Sequence, residues 1–242
     1  MSKVAIVTGA SRGIGAAIAE RLAADGFAVI VNYAGSTEAA EALARRIQQI
    51  GGKALAAQAD VADPAAVRRL FDSAETSFGG VDVLVNNAGI MENAPLADTN
   101  DESFERQIAV NLKGTFNGLR EAAKRLRDGG RIVNFSSSVV GLYQPNYAVY
   151  AATKGAVEAM THVLSKEVRG RSITVNAVAP GPTGTDLFLK GKPQAAIDSL
   201  AKLSPLERLG EPADIADVVS FLVGPRGGWV NGQILRANGG VI

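Results

Sequence analysis

Short apolar runs rich in β-branched residues alternate along the chain with longer stretches whose apolar positions recur at helical spacing. The first run, Val4-Ala5-Ile6-Val7, passes through a Gly-rich turn into a pattern carried by Ile14, Ile18 and Leu22 that stops at Asp25-Gly26. A second run over 28–31 precedes an alanine-rich helical stretch over about 36–50, closed by Gly51-Gly52. A third ends in Ala57-Gln58-Ala59-Asp60-Val61, after which Asp63-Pro64 reads as an N-cap with proline in the first turn. Then come an apolar run over 81–85, a long helical region over about 101–126, a strand over 131–135, a helix over about 147–168 and a strand over 173–178. Residues 185–223 read as helical with breaks at Pro193, Pro205 and Pro212, and Gln233-Ile234-Leu235 reads as a closing strand.

Continuously apolar strands spaced by helices predict an α/β fold whose parallel sheet is covered on both faces. Right-handed crossovers make this a doubly wound, Rossmann-type sheet of about seven strands. No repeat, low-complexity tract or linker divides residues 1–242, so a single domain is predicted.

Composition narrows the chemistry. Hydrophobic residues make up 47% of the 242 positions and charged ones 20%, the balance of a globular chain. The 25 Lys and Arg nearly cancel the 24 Asp and Glu, which argues against a nucleic-acid partner. The absence of cysteine excludes disulfides, thiolate catalysis and cysteine-ligated metals. The single histidine, His162, excludes a multi-histidine metal site and is read as structural. No apolar run reaches the roughly 18 residues of a membrane span. Met1-Ser2-Lys3 enters an apolar run without a small-residue cleavage site, so no signal peptide is expected and the cytoplasm is the expected location.

The 27 glycines are informative by position. Thr8-Gly9-Ala10-Ser11-Arg12-Gly13-Ile14-Gly15 lies directly between the first strand and the first helix. Glycine there permits a positive φ and close approach of a pyrophosphate, and the helix N-terminus beyond offers free N–H groups. The spacing G-x-x-x-G-x-G differs from the commoner G-x-G-x-x-G, and no Gly-Lys-Ser/Thr follows to make a P-loop. The same order of motifs continues through Asn86-Asn87-Ala88-Gly89, Asn111, the serines of 136–138, Tyr150-x-x-x-Lys154 and Pro180-Gly181.

With these motifs the chain resembles the short-chain dehydrogenase/reductases over nearly its whole length, and among them the 3-oxoacyl-acyl-carrier-protein reductase-like ketone reductases. Tyr150 and Lys154, four apart on a helical stretch, project from one face. An ammonium beside a phenol is expected to lower the phenol's pKa, tuning Tyr150 to protonate a developing alkoxide. Tyr143 and Tyr147 have no lysine four residues on. The resemblance implies a serine about 13 residues before the tyrosine. Counting back gives Ser137, the preferred reading, although Ser138-Val139-Val140-Gly141 also fits a family pattern. It further implies that Asn111 anchors a water beside Lys154, and that Lys154 also binds the nicotinamide ribose.

The cofactor expected from the resemblance is NADP(H). The second strand ends at Tyr33 without the carboxylate that would select NAD, and Arg12 stands where a basic residue can pair with a 2′-phosphate. Asn32, Tyr33 and Ser36 are expected to add hydrogen bonds. Gly9, Ser11, Gly13, Ile14 and Gly15 would hold the pyrophosphate, and Asp60 and Val61 the adenine. Asn87, Ala88 and Gly89 would flank the adenosine side, and Pro180, Gly181, Thr183 and Thr185 the carboxamide. Residues 185–205, with Leu187, Phe188, Leu189, Ile197 and Leu200, would form a substrate lid. The implied substrate is a small-molecule ketone or alcohol, or an acyl thioester. Arg169 and Arg171 are either a carrier-protein contact or a charged helix end, the latter preferred. A homotetramer or homodimer is expected, pairing the helices around 101–126 and 147–168, with 229–233 in a second interface. An alcohol or sugar dehydrogenase working oxidatively and a non-catalytic NADP-sensing regulator are the alternatives. An epimerase or dehydratase of the longer related group is disfavoured, since such proteins carry an added substrate domain.

Overall fold

The structure is a computed structural model that describes residues 2–242. Seven strands form one sheet in the order β3-β2-β1-β4-β5-β6-β7. They are β1 (Val4–Val7), β2 (Ala28–Tyr33), β3 (Lys53–Gln58), β4 (Val81–Asn86), β5 (Leu126–Phe135), β6 (Thr174–Pro180) and β7 (Ile234–Ala237). Every neighbouring pair is parallel. The third strand stops at Gln58 rather than running on to Val61, which leaves Ala59, Asp60 and Val61 in the loop at its C-terminal end.

The alternation of side chains explains why both faces are apolar. Ala5, Val7, Val29, Val31, Val83 and Val85 face one way, onto α1 (Gly13–Ala24), α2 (Thr37–Gln49) and α10 (Pro212–Val223). Val4, Ile6, Ala28, Ile30 and Leu84 face the other, onto α3 (Pro64–Phe78), α5 (Gly114–Arg125) and α7 (Ala148–Glu167). A strand buried on both faces has no room for the polar half of an amphipathic pattern. The doubly wound sheet predicted from the sequence is therefore the fold observed.

Two predicted helices are subdivided. The region over 101–126 comprises α4 (Asp101–Gln107), a π-helical turn over Ile108–Lys113 and α5, and Leu126 already belongs to β5. The region 185–223 contains α8 (Asp186–Leu189), α9 (Gln194–Ala201) and α10, with Pro193 immediately before α9 and Pro212 opening α10. A short α6 (Val139–Leu142) precedes α7. Among the described residues, no helix is long and apolar enough to cross a membrane.

Strands β2 and β3 lie on one side of β1, and β4 through β7 on the other. The loops after β1 and β4 therefore diverge at the C-terminal edge of the sheet and leave a crevice between them, the place where such sheets bind ligands.

Candidate active site

The crevice is built first by hydrogen bonds between those two loops. Asn87 Nδ2 donates to the carbonyl oxygens of Thr8 (2.9 Å) and Gly9 (3.1 Å). The Thr8 hydroxyl oxygen accepts from the backbone N–H of Asn87 and of Ala88, both at 3.0 Å. Gly9 adopts φ +62, and a Cβ there would lie 2.9 Å from Ala88 Cα. A Cβ at Gly15 would lie 2.4 Å from the Gly9 carbonyl oxygen. Any side chain at either position would force the two loops apart.

The resulting cleft, about 690 Å³, is walled by Gly9, Ser11, Arg12, Gly13, Ile14, Gly15, Asn32, Ser36, Asp60, Val61, Asn87, Ala88, Gly89 and Thr185, all expected from the sequence. Arg12 is exposed at the N-cap of α1 and gives no side-chain capping bond, so the first-turn amides of this helix remain available to an anion. A glycine cradle, a free helix N-terminus and a cation at its rim fit a dinucleotide pyrophosphate and an additional phosphate.

Two expected residues do other work. Tyr33 is only 8% exposed and packs into the apolar core with Val31, Leu43 and Ile47, while Ala34, Gly35 and Ser36 line the cleft in its place. The alternation of β2 turns its ring inward, so the expected hydrogen bond from Tyr33 is not made available. Asn32 reaches the cleft wall, but its side chain is engaged internally. Its Oδ1 accepts from Gly9 N (3.2 Å), and its Nδ2 donates to the carbonyl oxygens of Ala57 (3.2 Å) and Ala59 (3.0 Å). Asn32 shapes the glycine turn instead of presenting a free amide.

A second cleft adjoins the first and shares Ile14, Asn87, Gly89, Thr185 and Leu187 with it. Its walls include Ser137, Tyr150, Lys154, Pro180, Gly181 and Thr183 from the expected set, together with Met91, Leu142, Gln144, Tyr147, Phe188, Leu200 and Leu203. Lys154 is 4% exposed, and its Nζ donates to the carbonyl oxygen of Phe135 at 2.8 Å. Removed from water, this ammonium is lowered from 10.5 to about 8. The Tyr150 phenol is pushed up to about 12 by burial, against the pull of its hydrogen bond to Ser137 and with Tyr147 adding to the rise. The expected lowering by Lys154 is thus not observed: burial dominates the shift, and the Lys154 Nζ lies 5.6 Å from the Tyr150 ring centroid.

The three serines separate by partner. Ser136 Oγ donates to Glu158 Oε1 at 2.6 Å. Ser137 Oγ accepts from Val139 N at 3.4 Å and lies beside the Tyr150 phenol, whose pKa it pulls down. Ser138 Oγ donates to the Ala179 carbonyl oxygen (3.3 Å) and accepts from Asn238 Nδ2 (3.0 Å). Both Ser137 and Ser138 line the cleft, and the Ser138 hydroxyl is engaged by β6 and the C-terminal segment.

Asn111 is fully buried in the π-helical turn. Its Oδ1 accepts from Ile90 N at 2.8 Å, and its Nδ2 donates to Ile90 O at 2.9 Å and Thr153 Oγ1 at 3.3 Å. It clamps the segment after Gly89 onto α7. Arg171 donates to Asp128 (2.8 Å) and to the carbonyl oxygens of Ala123 (2.7 Å) and Leu126, at the N-terminal edge of the sheet, remote from the clefts. These bonds tie the turn after α7 to α5 and β5. His162 is exposed on α7 and lines neither cleft.

Residues 9–242 match the family model described as enoyl-(acyl carrier protein) reductase. A short-chain type dehydrogenase/reductase of Picea abies is 47% identical over 250 residues, covering 99% of this chain and 92% of its own. The chain belongs to the short-chain dehydrogenase/reductase family. Within it, an NADPH-dependent aldehyde reductase-like chloroplastic protein of Arabidopsis thaliana is 44% identical over 254 residues, covering 99% of this chain and 94% of its own. The crystal structure of a short chain dehydrogenase from Burkholderia cenocepacia in complex with NADP superposes with a TM-score of 0.94 at 41% identity, covering 99% of this chain and 97% of that one.

The buried ammonium makes a stability prediction. The folded protein releases the Lys154 proton near pH 8 and the unfolded chain near 10.5, so between these values the unfolded state binds more protons and stability rises with pH. Lys154→Met removes this term. Calorimetry should show the stability difference moving in favour of the wild type across that window; a difference independent of pH would refute the shift.

Proposed function

We propose that this family member is an NADP(H)-dependent oxidoreductase that reduces an apolar ketone or 3-oxoacyl group to a secondary alcohol, with Tyr150 as the proton donor. One observation carries the reading: Tyr150, beside Ser137 and set one turn from buried Lys154, lines a cleft that shares its walls with the glycine cradle. NADP in the Burkholderia cenocepacia relative and the NADPH dependence named for the Arabidopsis relative support the cofactor.

When bound, the nicotinamide supplies the hydride. The residues of the chain bind, orient and protonate. Gly9, Ser11, Gly13, Ile14 and Gly15 present backbone to the pyrophosphate, and Arg12 and Ser36 hold the 2′-phosphate. Asp60, Val61, Asn87, Ala88 and Gly89 surround the adenosine, while Pro180, Gly181, Thr183 and Thr185 form the wall nearest the substrate cleft. Ser137 and Tyr150 hold the substrate oxygen between two hydroxyls, and Tyr150 gives it a proton as negative charge develops. Lys154 then stabilises the phenolate, and Asn111 keeps the Gly89–Ile90 segment against the helix that bears them.

A phenol pushed up by burial is protonated near neutral pH, the form a proton donor needs. Among the described residues, Lys154 is the single charged side chain lining the substrate cleft, so the favoured substrate is uncharged. Residues 185–205 supply Leu187, Phe188, Leu200 and Leu203 to that cleft and act as its cover. For assembly, Phe104, Phe116 and Val163 leave exposed apolar surface on α4, α5 and α7, and Trp229 is 99% exposed near the C-terminus. These surfaces support the homotetramer.

With NADPH and a panel of uncharged ketones and 3-oxoacyl thioesters, Tyr150→Phe should lower kcat/KM by about 10²–10⁴-fold while leaving NADPH affinity intact. Retained turnover would remove Tyr150 from the role of acid. Arg12→Ala should lower the NADPH-to-NADH efficiency ratio by about ten- to a hundredfold, the worth of a charge-assisted bond; an unchanged ratio would take the 2′-phosphate away from it. Sedimentation of the wild type should give about four times the 25.0 kDa chain, and Phe116→Glu and Trp229→Glu should each reduce it. A wild-type monomer would overturn the assembly.

A further inference from the structure

The end of β5 and one face of α7 meet in three successive links. Phe135 offers its carbonyl oxygen to Lys154 Nζ at 2.8 Å. Ser136 donates its hydroxyl hydrogen to Glu158 Oε1 at 2.6 Å. Ser137 stands beside the Tyr150 phenol in the wall of the same cleft, its hydroxyl pulling the phenol's pKa down. On the strand these are consecutive residues; on the helix their partners are 154, 158 and 150, spaced by four and therefore on one face. The first and third links belong to the proposed chemistry, while the middle one touches no part of either large cleft on its helix side.

We propose that Glu158 is a positioning residue, which through Ser136 sets the height of Ser137 against Tyr150. Ser136 is 3% exposed, and its backbone N–H donates to Val178 O at 2.8 Å, so its main chain is held by β6. The hydroxyl adds the tie to α7. A bond from a hydroxyl to a carboxylate is short and strong, and at 2.6 Å this one has the length of such a bond. Ser137 is the next residue along, at the point where the chain leaves the strand and enters α6; the backbone N–H groups of Ser136 and Ser138 on either side of it donate to Val178 O and Pro180 O, so its main chain is referred to β6 and not to α7. A shift of α7 by a fraction of an ångström would otherwise move Tyr150 relative to Ser137 without breaking the fold.

A cavity behind Ser137 shows that packing alone does not do this work. It is walled by Ser137, Glu158, Gly141, Ala179, Arg236 and Ile242, so Ser137 stands between this space and the substrate cleft. A side chain with open space behind it has no close-packed neighbour to fix its position from that side. The hydrogen bond from Ser136 to Glu158 supplies the restraint next door.

This inference rests on the reductase reading for its kinetic consequence but not for its structural one. Glu158→Gln keeps an acceptor for the Ser136 hydroxyl, Glu158→Ala removes it, and Ser136→Ala removes the donor. In hydrogen–deuterium exchange on the full chain without cofactor, the amides of 135–140 should exchange about ten- to a hundredfold faster in Ser136→Ala and Glu158→Ala, and within about twofold of wild type in Glu158→Gln. In turnover, Glu158→Ala and Ser136→Ala should each lower kcat about tenfold, with KM and NADPH affinity unchanged. The double variant should lose no more than either alone. Thermal unfolding identifies any variant that has lost its fold, and Ser136→Ala, which deletes one oxygen, stands in for Glu158→Ala in that case. Additive losses, a Glu158→Gln variant as impaired as Glu158→Ala, or unchanged exchange at 135–140 would overturn the proposal. If no ketone is reduced by the wild type while the exchange pattern holds, the reductase reading fails and the link stands.

Discussion

A lysine ammonium inside a protein must replace its lost water with protein oxygen or give up its charge, and Lys154 does part of each. Its Nζ finds the carbonyl oxygen of Phe135, the last residue of β5, and its pKa falls toward neutrality. This pairing fixes more than the lysine. Because Tyr150 lies one turn before it and Glu158 one turn after it on the same helix face, holding Lys154 at the end of β5 brings the phenol to Ser137 and the carboxylate to Ser136. The site is a consequence of how one helix is fastened to one strand end.

That fastening works because of where the strand end lies. In a parallel sheet every C-terminal strand end emerges on the same edge, so the loops after β1, β4, β5 and β6 converge there. Reversal of strand order between β1 and β4 opens the crevice, and the Thr8–Asn87 hydrogen bonds hold its width. The cofactor-like cleft and the apolar cleft meet along shared walls because adjacent loops of one sheet line them.

Many polar residues near the clefts serve the scaffold. Asn86 Nδ2 donates to Asn134 Oδ1 at 2.9 Å, and Asn134 Nδ2 donates to Thr161 Oγ1 at 2.9 Å, a buried chain from β4 through β5 to α7. Asn32 ties the glycine turn to β2 and β3 in the same manner. Buried amides are costly when unpaired, so each such residue is engaged by its neighbours in holding the scaffold. Proximity to a motif is therefore a weak guide to contact with a ligand, and a count of free donors is a better one.

The fold was legible in the sequence because continuous apolar runs and helical spacings are local properties that each segment carries in its own residues, and the apolar runs of β1, β2 and β4 admitted only a sheet covered on both faces. Gly9, Gly13, Gly15, Tyr150 and Lys154 were legible for a similar reason: the turn and the four-residue helical spacing are short-range geometry. Thr8 was missed as the acceptor of the β1–β4 clasp, although it directly precedes Gly9. Glu158 was missed too, although the spacing 150–154–158 could have pointed to it. What only the tertiary structure decided was which way buried side chains face and what surrounds them. Tyr33 turned into the core, Asn32 toward backbone, the Ser138 hydroxyl toward Ala179 and Asn238, and Tyr150 was raised by burial instead of lowered by its lysine. Those outcomes depend on packing between segments far apart in the chain and on the solvent they exclude, and no local pattern encodes either.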